Sequence, residues 1–204
     1  MLVSATDRDR VAAAIGEAEG RTSGEIVAVI AASSASYVSV APMVAALLAL
    51  LVPWPLIYFT WWPVQYIYLL QLAVFVIVAC IVYYRPIRLA LVPGSIKRDR
   101  AHKRAVEQFL AQNLYTTAGH TGVLIFISAA EHFAEIIADR NIYKLVPQED
   151  WQAMVDRLTA RIGDGMAADG LIETIRATGD VLAKHFPPGS SNPNQLPNHL
   201  IVID

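Results

Sequence analysis

The sequence predicts an α/β protein: a helix-covered, mixed β-sheet interrupted by a transmembrane helical hairpin. Three observations lead there. Residues 26–84 contain no Lys, Arg, Asp, Glu or His, although 17% of the chain is charged. Helical and strand-like patterns lie on both sides of its apolar block, residues 37–84. A cluster of cations follows it closely, which orients the hairpin.

The opening helix is expected from Thr6-Asp7-Arg8-Asp9, which resembles a capping box, and from Val11, Ala14, Ile15 and Ala18 at helical spacing. Gly20 and Gly24 bracket its exit. Glu25–Ala31 is short, β-branched and alternating, and reads as a strand. The small polar stretch Ala32–Ser36 leads into the apolar block.

That block is too long for one crossing, since a bilayer core of roughly 30 Å takes about 20 helical residues. Trp54, Trp61, Trp62 and Pro63 lie near its middle. Pro interrupts helices and Trp favours the membrane–water interface. One helix is therefore expected over Val38–Phe59, a turn at Thr60–Pro63 and a return helix over Val64–Tyr84. Pro53 and Pro55 should kink the first helix. A hairpin buried in a soluble core is the alternative, but a domain of this size rarely buries two uncharged helices on every face. A signal peptide is excluded by the helical and strand-like sequence ahead of residue 38.

Arg85, Arg88, Lys97, Arg98, Arg100, Lys103 and Arg104 follow the second helix, opposed only by Asp99. The connecting turn carries no charge. The positive-inside rule puts both termini in the cytoplasm and the Trp turn outside. Residues 85–96 form a basic juxtamembrane segment whose cations suit anionic headgroups. Nucleic acid is not an expected partner: the membrane location explains the cations, no basic–aromatic interleaving occurs, and the chain is slightly acidic at net −2. The single cysteine, Cys80, forms no internal disulfide, and no His–Cys spacing suggests zinc.

Residues 1–37 are too few to fold alone. They are expected to join 97–204, so that 38–84 is an insertion into one split domain. In the later piece a helix is expected over Lys97–Leu114 with Val106, Phe109, Leu110 and Leu114 on its buried stripe. Ala118-Gly119-His120 turns the chain into a continuous apolar strand, Thr121–Ser128, of the kind buried on both faces. Ala130-Glu131-His132 is a tight turn, and Phe133–Ala138 returns as a hairpin partner. Pro147 opens a helix with Glu149 and Asp150 in its first turn and Trp151, Met154, Val155, Leu158 and Ile162 inward. Gly163-Asp164-Gly165 ends it. Asp169 or Gly170 starts another helix, running to about His185 and burying Leu171, Ile172, Ile175, Val181 and Leu182. Pro187–Ser191 is a linker, and His199–Ile203 is a last strand or extended tail.

Five landmarks occur here in an order that resembles the TPM domain family: Thr22–Val27, Gly119–Ser128, Ala134–Arg140, the Pro147–Asp164 helix and Asp169–Ile172. The family includes phosphatase-like thylakoid-lumen proteins and many bacterial membrane proteins. The resemblance implies a TPM-like sandwich and a bacterial subgroup with a membrane hairpin after the first strand. It also implies a multi-pass protein of the bacterial cytoplasmic (inner) membrane.

The resemblance further implies phosphatase chemistry or a calcium or magnesium site built from loop acids. The acids at matching positions are Asp139, Asp164 and Asp169, with Glu173 beside them. Hard cations take several oxygens at one point. Each acid also has a plain reading: Asp169 as an N-cap, Asp164 as a turn residue between glycines, Asp139 as an ion-pair partner of Arg140. Asp139-Arg140-Asn141 stands where many members carry Gly, a departure from the family pattern. His102, His120, His132, His185 and His199 are scattered, and no serine has a G-x-S-x-G context. No cofactor is otherwise expected, and no catalytic residue can be named. Two function classes follow. One is a non-catalytic, membrane-anchored interaction or assembly module for a membrane protein complex, with the lipid bilayer and another integral membrane protein as partners. The other is a divalent-metal-dependent, phosphatase-like hydrolase at the same face.

Overall fold

The computed structural model describes residues 3–117, 119–188 and 196–203. Ala118 of the expected turn and residues 189–191 of the expected linker lie outside them. The chain divides into two compact units, Met1–Ser34 with Arg98–Asp204, and Ala35–Lys97.

The first unit is built on a four-stranded mixed sheet in the order β3-β2-β1-β4. Helix α1 (Ala5–Glu19) leads into β1 (Glu25–Ala31). The cap of α1 lies two residues earlier than Thr6: Ser4 is the N-cap and Asp7 reaches back to close the capping box. Ser4 supplies the hydroxyl, and Asp7 is the residue three positions on that the motif requires. The stripe Val11, Ala14, Ile15 and Ala18 is buried as expected.

β1 lies between two parallel neighbours, β2 (Gly122–Ser128) and β4 (Leu200–Ile203). β2 continues through a tight turn into antiparallel β3 (Phe133–Ala138). Every residue of β1 and β2 is buried, which explains their unbroken apolar character. Odd and even residues serve different layers. Ile26, Ala28, Ile30, Val123, Ile125 and Ile127 pack with α1, α8 (Gln148–Gly163) and α9 (Ala167–His185). Val27, Val29, Leu124 and Phe126 pack on the other face with Ala105 and Phe109 of α6 (Gly94–Ala111) and with Leu114. A helix of four residues, α7 (Arg140–Tyr143), connects β3 to α8.

Helix α6 corrects the expected stripe. Its buried residues are Ala101, Ala105, Gln108 and Phe109, whereas Val106 and Leu110 are exposed. Two small alanines let the helix approach the sheet, so the inward face is not the one with the largest apolar side chains. Leu114 is buried, but in a 3₁₀ turn (Leu114–Thr116) beyond the helix end. Trp151, Met154 and Leu158 of α8 and Leu171, Ile172, Ile175 and Leu182 of α9 are buried as expected. Helix α9 begins at Ala167 with Met166 as N-cap, so Asp169 lies inside the first turn and is not the cap.

The second unit is a pair of apolar helices. The outgoing arm is α2 (Val40–Leu51) continued by α3 (Pro53–Phe59), and the return arm is α4 (Val64–Tyr83). The two arms are long and apolar enough to cross a membrane. The break between α2 and α3 falls at Val52, immediately before Pro53, and the Val52 N–H turns to the Ala49 carbonyl. Thr60 closes α3 through its N–H and its hydroxyl, both on the Leu56 carbonyl. Helix α2 packs on α4. Its buried face is Ala41, Ala45 and Ala49, a small-residue stripe that permits close helix approach. Most of the large side chains point away: Leu51 is 63% exposed and Trp61 fully so. The residues that follow coil into α5 (Arg85–Leu91), which packs on α4.

Candidate functional site

Three of the sequence-derived acids have other partners, and the fourth, Asp164, stands exposed at a helix end. Asp139 caps α7, accepting from the Arg140 N–H at 2.6 Å, and lies 3.3 Å from His120 Nδ1. Its expected pairing with the Arg140 side chain is replaced by that backbone cap. Asp169 accepts from Arg10 at 2.6 Å. Glu173 takes a bidentate contact from Arg161, at 2.7 and 3.2 Å. Asp164 is the exposed C-cap residue of α8 and precedes Gly165, whose φ of +78° makes the turn. Among the described residues no group of three His, Cys, Asp or Glu side chains is placed to share a metal ion.

The structure brings together polar residues that the sequence did not single out. Parallel β1 and β2 end side by side, and Glu131 in the following turn reaches across both exits. It accepts from the Ser34 N–H at 3.1 and 3.2 Å, from Ser33 Oγ at 3.1 Å and from Ser128 Oγ. Ser34 Oγ donates to Ser128 Oγ at 2.6 Å. The carboxyl ends of parallel strands are where α/β sheets bind ligands. Here, however, Ser128 is fully buried and its hydroxyl already donates to Glu131. The cluster therefore fastens the strand ends.

At the opposite end of β1, Glu19 and Glu25 are 8% and 4% exposed. Glu19 accepts from the Ile26 N–H at 2.8 Å and interacts with Asn198. Glu25 accepts from the Leu196 N–H at 3.3 Å. Burial pushes the Glu19 carboxyl up to about 8, and the neighbouring Glu25 adds to the rise against the backbone bond from Ile26. Both acids serve to hold the approach to β4. A carboxylate at the end of a helix with an apolar strand after it was the only sequence signal for this pair.

A groove of about 420 Å³ runs beside β3. Its walls include Arg98 from α6, Phe133, Ala134, Glu135 and Ile136 from β3, and Trp151, Gln152, Val155 and Asp156 from α8. Glu135 is held by His102 Nδ1 at 2.8 Å, and Asp156 accepts from Gln152 Nε2 at 2.8 Å. The Trp151 indole is 4% exposed and its N–H has no acceptor among the described residues. No spacing in the sequence marks this groove, because its walls come from three separated elements.

With the geometry in place, comparison with known proteins bears on the fold. No family model matches the chain, and no curated protein matches it. One solved structure is similar: BA42 protein from the psychrophilic bacterium Bizionia argentinensis, with a TM-score of 0.62 and 18% identity. The similarity covers 98% of this chain and 94% of BA42. BA42 has a TPM-like fold, so the similarity supports the mixed α/β architecture.

Proposed function

We propose that this protein is a membrane-anchored TPM-like domain of the bacterial inner membrane, with both termini cytoplasmic. Its soluble unit acts as a non-catalytic interaction or assembly module for another integral membrane protein or complex. The observation that carries this reading is the second unit: two arms of about 20 residues, uncharged throughout, with large apolar side chains facing outward. The cations that follow Tyr84 supply the orientation. The soluble unit offers an open groove beside a sheet edge and, among its described residues, no group of acids placed to share a metal. The hydrolase alternative needs a nucleophile or a metal-bound water, and its candidate acids Asp139, Asp164 and Asp169 form no metal-sharing group among the described residues.

Reporter fusions at Trp62 and at the C-terminus test the anchor. A periplasmic signal at Trp62 and a cytoplasmic one at the C-terminus are expected, and a cytoplasmic signal at Trp62 would remove the hairpin. Purification in mild detergent, followed by mass spectrometry, tests the module: an integral membrane protein should co-purify in fixed ratio.

A further inference from the structure

On the membrane-anchored reading, on which this rests, we infer that two copies of the chain pair inside the bilayer through Gln71 of α4. A side-chain amide carries two N–H donors and a carbonyl acceptor, and leaving them unmet in hydrocarbon is costly. Of the two amides in the apolar arms, Gln65 stands beside the Thr60–Pro63 turn, within reach of headgroups and water. Gln71 lies deeper, about 10 Å along α4 from Val64. That depth is inside a hydrocarbon core of roughly 30 Å. Long Lys and Arg side chains reach back to the interface from such a depth, but glutamine is shorter.

The hairpin does not satisfy this amide. Gln71 makes no side-chain hydrogen bond among the described residues. It is half-buried, and its amide atoms stay open at the surface of the helix pair. Helix α2, which packs on α4, has no hydroxyl, amide or charged side chain. Lipid tails offer neither donor nor acceptor, so the amide's partner is another protein segment in the membrane. Self-complementarity selects a second copy. Two copies inserted with the same topology carry α4 in the same direction, and a two-fold axis along the membrane normal sets each residue level with its counterpart. Gln71 then meets Gln71 at one depth, and each amide donates to the other's carbonyl. A foreign helix would need a polar group of its own at that level. Tyr68 and Phe75, three residues before and four after, lie on the same side of α4 and close around the pair against lipid.

The test uses the full chain in vesicles of phosphatidylethanolamine and phosphatidylglycerol. Donor or acceptor dye sits on a cysteine added at the C-terminus, with Cys80→Ala removing the native thiol. Energy transfer should rise and saturate with the protein-to-lipid ratio. Gln71→Leu should weaken the pairing about tenfold, the loss of two hydrogen bonds between membrane helices, while Gln65→Leu changes it less than about twofold. Transfer at the level of random collisions at every ratio would overturn the pairing, as would a Gln71→Leu variant that pairs like the native chain. A monomer whose co-purifying membrane protein is lost in Gln71→Leu would also overturn it, because the occupant is then a different chain. A cytoplasmic reporter signal at Trp62 would remove the anchor and the pairing together. A periplasmic signal there, with no Gln71-dependent transfer, would keep the anchor and remove the pairing alone.

Discussion

Glu19 is the residue whose chemistry the fold changes most. Its folded-state pKa, about 8, lies above the ordinary 4.5. The folded protein thus holds a proton that the unfolded chain releases across that interval. Its contribution is fully present below about pH 4.5 and is lost as pH rises towards 8. Thermal melts should therefore show a fall in stability over that window, on the order of 1 to 3 kcal/mol from this site. Glu19→Gln should flatten the fall and raise the melting temperature near pH 8; an unchanged profile would mean that Glu19 ionises normally. Gly122 works through space alone. A Cβ there would stand 2.5 Å from the Leu114 carbonyl oxygen, a backbone atom that cannot swing aside. Gly122→Ala should cost about 1 to 3 kcal/mol in a denaturant titration. The glycine was visible in the sequence, but its reason was not, since Leu114 reaches it only through the turn after α6.

At the scale of elements, residue patterning predicted well where no two faces compete for burial. β1 was legible as Glu25–Ala31 and β3 as Phe133–Ala138, with matching boundaries. The inward stripes of α1, α8 and α9 were legible for the same reason. Helix α6 was misread because two candidate faces compete: large Val106 and Leu110 against small Ala101 and Ala105. Hydrophobicity favours the first and close approach to a sheet the second. The caps of α1 and α9 moved by two or three residues because several polar residues near each start could serve. The position of β1 between β2 and β4 carries an element-level prediction. Replacing 38–84 by a flexible Gly/Ser linker should leave a soluble domain with a cooperative melt. A chain starting at Lys97 lacks the central strand and should aggregate. Cooperative folding of that truncated chain would show that β1 is dispensable.

For the whole molecule, the open question is whether a cation belongs to it. Arg10 and the Arg140 N–H already occupy Asp169 and Asp139, and Asp164 stands exposed at a helix end. Millimolar calcium or magnesium should accordingly leave the melting temperature unchanged. A cation that binds only the folded state would raise it by mass action. A clear rise that disappears in Asp164→Ala would reinstate the hydrolase reading.

The sequence by itself determined the division between an uncharged, membrane-length hairpin and a helix-and-strand domain around it. That information is local: charge is absent residue by residue, and burial repeats with the period of each element. Only the tertiary structure decided which side chains meet. Glu131 with three serines, Glu19 with the segment before β4, and the groove between α6, β3 and α8 each join residues far apart in the chain. Strand order and helix packing set such meetings, and neither leaves a fixed spacing in the sequence.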